Sequence, residues 1–200
     1  MNVIAIEKRG KINKMENKIK IIALFGEGGS GKDTIQKYLV DKMPNSHGII
    51  SCTTRPKRDY EKHGKDYYFL SEKDFGEKVL NCSMLEATSF RDWMYGTAID
   101  ALDKNKINIG VFNIEGIECL LQDNRLSILP IYIKTDDKVR LMRSLTREDE
   151  PDCAEICRRF LSDKKDFFNI PFFSLVYKNN NNTYDFNRIV DLLNSTNFIN

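Results

Sequence analysis

The sequence predicts an α/β fold in which a parallel sheet is flanked by helices and interrupted by a small mixed α/β insertion. Three observations lead there. Apolar, strand-like runs alternate with stretches of helical periodicity along most of the chain, an order that implies parallel strands joined by right-handed crossovers. Two of those runs, Ile107 to Ile114 and Ile128 to Ile133, are nearly continuous in apolar residues, as suits strands covered on both faces. The segment from 51 to 96 breaks the rhythm with short strands and turns rich in polar and aromatic residues, the mark of an insertion that carries a site.

Taken in order, strands are expected at 19–25, 48–53, 65–70, 83–88, 107–114, 127–133 and 173–178. Helices are expected at 32–43, 71–80, 97–104, 115–123, 136–147, 152–168 and 184–196. The first strand is a β-branched run, and Ile35, Leu39 and Met43 fall on one face of the first helix. Ser71, with Asp74 three residues on, resembles a capping box, and Thr135-Asp136-Asp137 opens a helix with acids in its first turn. Asn179 to Asn182 is a low-complexity run that reads as a surface loop. Residues 1–18 carry Lys8, Arg9, Lys11, Lys14 and Lys18 around a short apolar patch of Val3, Ile4 and Ile6. Without the apolar core of a secretory signal, they read as a flexible N-terminal extension, with Met15 an alternative start.

Between the first strand and the first helix lies Gly26-Glu27-Gly28-Gly29-Ser30-Gly31-Lys32-Asp33-Thr34. Glycines let backbone N–H groups converge on phosphate oxygens, and the helix N-terminus adds partial positive charge. Lys32 is placed to reach the β- and γ-phosphates of a nucleoside triphosphate. The strict pattern ends Gly-Lys-Ser/Thr, whereas here Asp33 follows the lysine and the hydroxyl arrives at Thr34. A glycine-rich turn with a solvent-facing lysine is the plain alternative; the unbroken strand–loop–helix order decides against it.

Composition sets limits. Two hundred residues with 41% hydrophobic and 30% charged content describe one globular domain with a substantial core. No apolar run approaches the ~20 residues of a membrane span. A net charge of +2 gives no general attraction to nucleic acid. Cys52, Cys82, Cys119, Cys153 and Cys157 are odd in number and form no metal-site spacing, so they read as reduced thiols of a cytoplasmic protein.

A second constellation follows. Ser51-Cys52-Thr53-Thr54-Arg55-Pro56-Lys57-Arg58 sets two arginines three apart, and Tyr67 stands within Gly64-Lys65-Asp66-Tyr67-Tyr68-Phe69. Arginine forks and a tyrosine hydroxyl on extended backbone suit a dianionic phosphate ester. A nucleic-acid patch is the rival reading, but Asp59, Glu61 and Asp66 interrupt the basic run.

From about Ile19 to Leu193 the chain resembles guanylate kinase. The series Ser-x-Thr-Thr-Arg-x-x-Arg…Gly-x-Asp-Tyr-x-Phe is far more specific than the phosphate loop alone. The resemblance implies a P-loop kinase fold with a GMP-binding insertion and a helical lid. It places Ser51 near the guanine edge and Arg55, Arg58 and Tyr67 on the GMP phosphate. Met84-Leu85-Glu86 looks like the family's strand whose glutamate accepts from guanine N1 and N2, donors that adenine lacks. Tyr95-Gly96-Thr97 matches a turn with Tyr95 and Gly96 on the phosphate and Thr97 on the base. Arg143-Ser144-Leu145-Thr146-Arg147 and Ile156-Cys157-Arg158-Arg159-Phe160 resemble the lid, where Arg147 and Arg159 would reach the transferring phosphate with Arg143 in support.

Three departures from the family pattern stand out. Glu27 and Gly28 occupy the Pro-Ser places of the loop, and Asp33 follows the lysine. Val111-Phe112-Asn113 replaces the family's Asp-Ile-Asp near the base, so one acid is lost and the other becomes an amide. The stretch from Thr97 to Gly116 is a few residues shorter than usual. Two relatives share parts of the pattern. Ribose-bisphosphate phosphokinase has a loop like Gly29-Ser30-Gly31-Lys32-Asp33-Thr34 but less need of a base-reading Glu86, and the non-catalytic guanylate-kinase-like scaffold domains have lost the loop.

The resulting expectation is transfer from ATP to GMP or dGMP, with Mg²⁺ bridging the β- and γ-oxygens. Lys32, Arg55, Arg147 and Arg159 are the expected catalytic residues. Gly26, Gly28, Gly29, Ser30, Gly31, Lys32, Asp33, Thr34 and Asn179 are expected at ATP, with Thr34 toward the metal. Ser51, Arg55, Arg58, Tyr67, Glu86, Tyr95, Gly96, Thr97 and Asn113 are expected at GMP. The domain would comprise a core (19–50, 106–142, 160–196), an insertion (51–105) and a lid (143–159). It would act as a monomer or homodimer without nucleic-acid or membrane partners.

Overall fold

The computed structural model describes residues 18–90, 92–147, 150–180, 186–196 and 198–199. Met15 and the rest of the expected extension up to 17 lie outside the described residues, as do Asn181 and Asn182 and the start of the helix expected from 184. In chain order the elements are β1 (Ile19–Phe25), α1 (Lys32–Lys42), β2 (Ser46–Gly48), β3 (Cys52–Thr53), β4 (Tyr68–Phe69), α2 (Glu72–Leu80), β5 (Met84–Phe90) and β6 (Trp93–Ala98). Then follow β7 (Ile107–Val111), α3 (Ile114–Gln122), β8 (Leu126–Lys134), α4 (Asp137–Leu145), α5 (Cys153–Asp166), β9 (Leu175–Lys178) and α6 (Asn187–Asn194).

The apolar runs build the larger sheet, in the order β2-β7-β1-β8-β9, with every pairing parallel. β1 is its centre, and Ile21 through Phe25 are fully buried. Strand alternation divides them between two cores. Ile22 and Leu24 pack with Ile35, Leu39, Ile189 and Leu193 on one face. Ile21, Ala23 and Phe25 pack with Phe112, Ile117 and Leu120 on the other. Truncating a residue such as Leu39 to Ala would cost roughly 2–5 kcal/mol. This two-sided burial anchors the end of β1, where the glycine-rich loop begins.

The insertion makes a second, mixed sheet in the order β4-β3-β6-β5. β3 and β4 run parallel, while β6 runs antiparallel to both β3 and β5. Two expectations are corrected here. The strand expected at 48–53 is split: Ser46–Gly48 pairs with β7, whereas Cys52–Thr53 belongs to the second sheet. The helix expected at 97–104 is a strand as far as Ala98 and then one 3₁₀ turn, Ile99–Ala101. Pairing with β5 overrides helix propensity, and Gly96 makes the pairing possible, because a Cβ there would stand 2.7 Å from the Glu86 carbonyl oxygen. Ser71 caps α2, its Oγ accepting from the Asp74 amide and donating to the Asp74 carboxylate.

The 14 residues of α5 form one continuous helix, so the expected limit between lid and core at 159–160 falls inside it. No helix among the described residues is long and apolar enough to cross a membrane.

Candidate active site

The loop after β1 turns through glycines at positive φ before α1 begins at Lys32. Gly31 (φ 91°) is the N-cap; it has no side chain to occupy the first amides of α1, and a Cβ there would stand 2.6 Å from Asn179 Nδ2. Those amides and the helix dipole are therefore open to an anion. Lys32 Nζ folds back on the loop, donating to the carbonyls of Gly26 at 2.8 Å and Glu27 at 3.0 Å. Burial lowers the pKa of Lys32, and Asp33, Asp163 and Glu27 oppose that shift. Asp33 and Thr34 are exposed on the first turn of α1. Asn179 is buried and donates to the Ser30 carbonyl at 2.7 Å, so it touches the loop itself.

The second sheet delivers the other half. Thr53 Oγ1 donates to the Met94 carbonyl and Thr54 Oγ1 accepts the Met94 amide, fastening the Tyr95-Gly96-Thr97 strand beside β3. Arg55 Nη2 donates to Glu61 Oε1 at 2.8 Å, and its guanidinium lies over the rings of Tyr67 and Phe69. Glu61 Oε2 accepts the Arg58 amide at 2.9 Å. Burial would raise the pKa of Glu61, but Arg55 and the Arg58 amide win and hold it below its ordinary value. Arg58 Nη1 also donates to the Tyr60 hydroxyl. Tyr67 and Tyr95 meet edge to face at 6.2 Å. Burial and the nearby Asp33 raise the Tyr67 pKa, keeping its hydroxyl a donor.

One cavity of ≈ 750 Å³ joins the halves. Gly26, Gly28 and Lys32 line it together with Ser51, Tyr67, Glu86, Tyr95, Gly96, Asn113 and Arg159. Glu86 is 7% exposed. Burial pushes its pKa up to about 7, against the downward pull of the Thr97 hydroxyl and backbone. Thr97 is fully buried, and its Oγ1 lacks a partner of full hydrogen-bond geometry among the described residues. Asn113 caps α3 through the Gly116 amide and donates to Thr88 Oγ1, both at 2.8 Å. Val111, Glu115 and Glu118 also face the cavity.

A smaller pocket of ≈ 90 Å³ is lined by Arg55, Arg58, Tyr95, Arg158 and Arg159. Glu155 bridges Arg158 and Arg159, and their hydrogen bonds hold its pKa down to about 2. Arg143 reaches the Gly29 carbonyl at 3.4 Å. Arg147, just past α4, lines neither pocket, although its charge acts on Lys32.

Sequence reasoning missed Glu61, Glu155, Arg140 and Asp163. Glu61 looked like an interruption of a basic run, and it lies with Arg55 on irregular backbone, where no periodicity pairs the two. The Glu155 to Arg159 pair was legible as an i,i+4 contact on α5. Arg140 and Asp163 carry no local signal.

The sequence model of the guanylate kinase family matches residues 18–196. A guanylate kinase of Helicobacter pylori (strain ATCC 700392 / 26695) is 30% identical over 156 residues, covering 76% of this chain and 75% of that one. A guanylate kinase of Prochlorococcus marinus (strain MIT 9312) is 31% identical over 152 residues, covering 74% and 82%. The crystal structure of guanylate kinase from Anaplasma phagocytophilum matches 92% of this chain and 90% of its own with a TM-score of 0.68. At 19% identity that likeness speaks for the fold alone.

Proposed function

This chain belongs to the guanylate kinase family, and from that premise we propose how its own residues carry out the reaction. The protein is an ATP-dependent kinase that phosphorylates GMP, giving ADP and GDP. Transfer in line between two bound phosphates asks the protein for positioning and charge stabilisation rather than covalent chemistry. The cavity shared by the phosphate loop and the second sheet carries the assignment of roles.

ATP phosphates take the loop amides, and Lys32 exchanges the Gly26 and Glu27 carbonyls for phosphate oxygens. Arg55, Arg58, Tyr67 and Tyr95 hold the GMP phosphate. Glu86 as a carboxylate accepts from guanine N1 and N2, with Ser51 and Thr97 completing the edge. Arg159, on the wall of both pockets, neutralises the moving phosphoryl group, and Arg147 and Arg143 support it. Asn179 acts at ATP through its hold on the Ser30 carbonyl. Asn113 serves the base by fixing α3 against β5. The insertion (51–105) and the lid (143–159) close over the nucleotides on the core, excluding water.

Mg²⁺ fits this donor set. Asp33 and Thr34 offer a carboxylate and a hydroxyl beside Lys32. That pair would give the ion one or two protein ligands, with substrate phosphates and water completing its shell. When bound, the ion would neutralise charge on the β- and γ-oxygens.

The test is a coupled assay for ADP with ATP and GMP. Turnover that requires both nucleotides supports the reading, and ATP hydrolysis indifferent to GMP contradicts it.

A further inference from the structure

Two buried charges not used in the transfer meet on the phosphate loop. Arg140 of α4 is 1% exposed and Asp163 of α5 is 6% exposed. Asp163 Oδ2 accepts the Gly28 amide at 2.7 Å, and Arg140 Nη1 donates to the Gly28 carbonyl at 3.1 Å. The two side chains face each other at 3.6 Å. Arg140 also donates to Asp137 at 3.0 Å and lies over the Phe160 ring. One loop residue, Gly28, is thus held through the two consecutive peptide units that flank it by an ion pair drawn from two helices. The missing side chain at Gly28 permits it, since a Cβ would stand 3.1 Å from Asp163 Oδ2.

A buried ion pair is a poor source of stability, because desolvation offsets most of the attraction and apolar replacements are often as stable. A loop with glycines at 26, 28, 29 and 31, by contrast, loses more backbone entropy on ordering than one with side chains. Its amides serve phosphate best when fixed in advance. We propose that Asp163 and Arg140 are positioning residues for ATP, holding the Gly28 segment so that the loop's other amides are already in place when the phosphates arrive. The inference rests on the loop being the ATP site. Asp163 lines the cavity and follows Arg159 by one turn of α5, so the same contact ties the helix bearing Arg159 to the loop. The Gly28 departure from the family pattern then has a purpose: it makes room for a carboxylate.

The experiment compares wild type, Asp163→Ala, Asp163→Asn and the double variant Arg140→Leu/Asp163→Ala. Melting temperature, ATP Kd without acceptor, and KM for ATP and for GMP are measured on each. Asp163→Ala strands a buried guanidinium, so both Tm and ATP affinity fall, the latter about 10-fold or 1.4 kcal/mol. The double variant regains most of the Tm, yet its ATP Kd and KM stay raised by about 10-fold while KM for GMP stays within about two-fold. Asp163→Asn, which keeps an oxygen for the Gly28 amide, recovers part of the ATP affinity. Recovery of ATP affinity together with Tm in the double variant would make the pair merely structural and overturn the proposal. An equal rise in KM for GMP would overturn it too. If wild type bound ATP but left GMP unphosphorylated, the functional reading would fall, and the ATP Kd series would still decide the role of the pair.

Discussion

The two halves of the cavity are built by opposite means. The half proposed to hold ATP, the donor half, is backbone held from far away: Tyr132, Arg140, Asp163 and Asn179 reach the loop across 105, 112, 135 and 149 residues of chain. The half proposed to hold GMP, the acceptor half, is side chain and largely holds itself, with Glu61 six residues from Arg55 and three from Arg58. A backbone site borrows its rigidity from the whole fold and spreads its charge over many amides. A side-chain grip concentrates recognition in a few forks, each of which can be removed singly. Damage to the first should therefore appear in ATP binding and chemistry, and damage to the second in GMP alone.

The sharpest way to break the donor half is Lys32→Ala. It should leave the fold intact and cut kcat by ~10²-fold or more, as loss of a preorganised cation at developing charge does. Steady-state turnover within a few-fold of wild type would remove Lys32 from the chemistry. On the acceptor side, Arg55→Lys or Arg58→Lys keeps the charge and loses the fork. KM for GMP should rise by roughly 10- to 100-fold, while ATP binding measured without acceptor stays unchanged. Equal weakening of ATP would move these arginines to the donor half.

A smaller effect separates recognition from charge balance. With Glu86 raised to about 7 by burial, kcat/KM for GMP should fall below that pH, approaching about 10-fold per pH unit as the carboxylate is lost. Stability runs the other way. A carboxyl with a raised folded-state pKa favours the protonated native protein, so this group's contribution is present below its ordinary value of 4.5 and is lost as pH rises toward about 7. Activity and melting temperature recorded across that window should diverge, and Glu86→Gln should flatten both. Parallel profiles in wild type and Glu86→Gln would assign the titration elsewhere.

The same contrast explains what the sequence discloses. β1, the loop and α1 were legible almost to the residue because apolar run, glycines and helix period are all local signals. The strand Trp93–Ala98 was not, since its middle carries a glycine and its end reads as helix; pairing with Met84–Phe90 decides it. Arg55, Arg58 and Tyr67 read in the sequence as a phosphate grip, but Glu61, which holds Arg55 and the Arg58 amide, looked like surface charge. Glu27 and Gly28 were visible as departures without visible cause. Their partners, the Tyr132 hydroxyl and the Asp163 carboxylate, arrive only through the fold. Arg140 sits among Asp137, Lys138 and Arg143 on a helix rich in charge, and no periodicity distinguishes the buried one.

The acceptor half is proposed to read guanine through Glu86 despite Val111, and one panel tests this: kcat/KM for GMP, dGMP, AMP and ribose bisphosphate on wild type and Glu86→Gln. Loss of one hydrogen bond to a charged group at Val111 weakens recognition by about 1.5–3 kcal/mol, roughly 10- to 150-fold. GMP should therefore lead AMP by a smaller margin, or with a higher KM, than a site with both acids would give, and Glu86→Gln should remove most of that margin. Ribose bisphosphate as the best acceptor, or a GMP preference untouched by Glu86→Gln, would show that Glu86 does not read guanine.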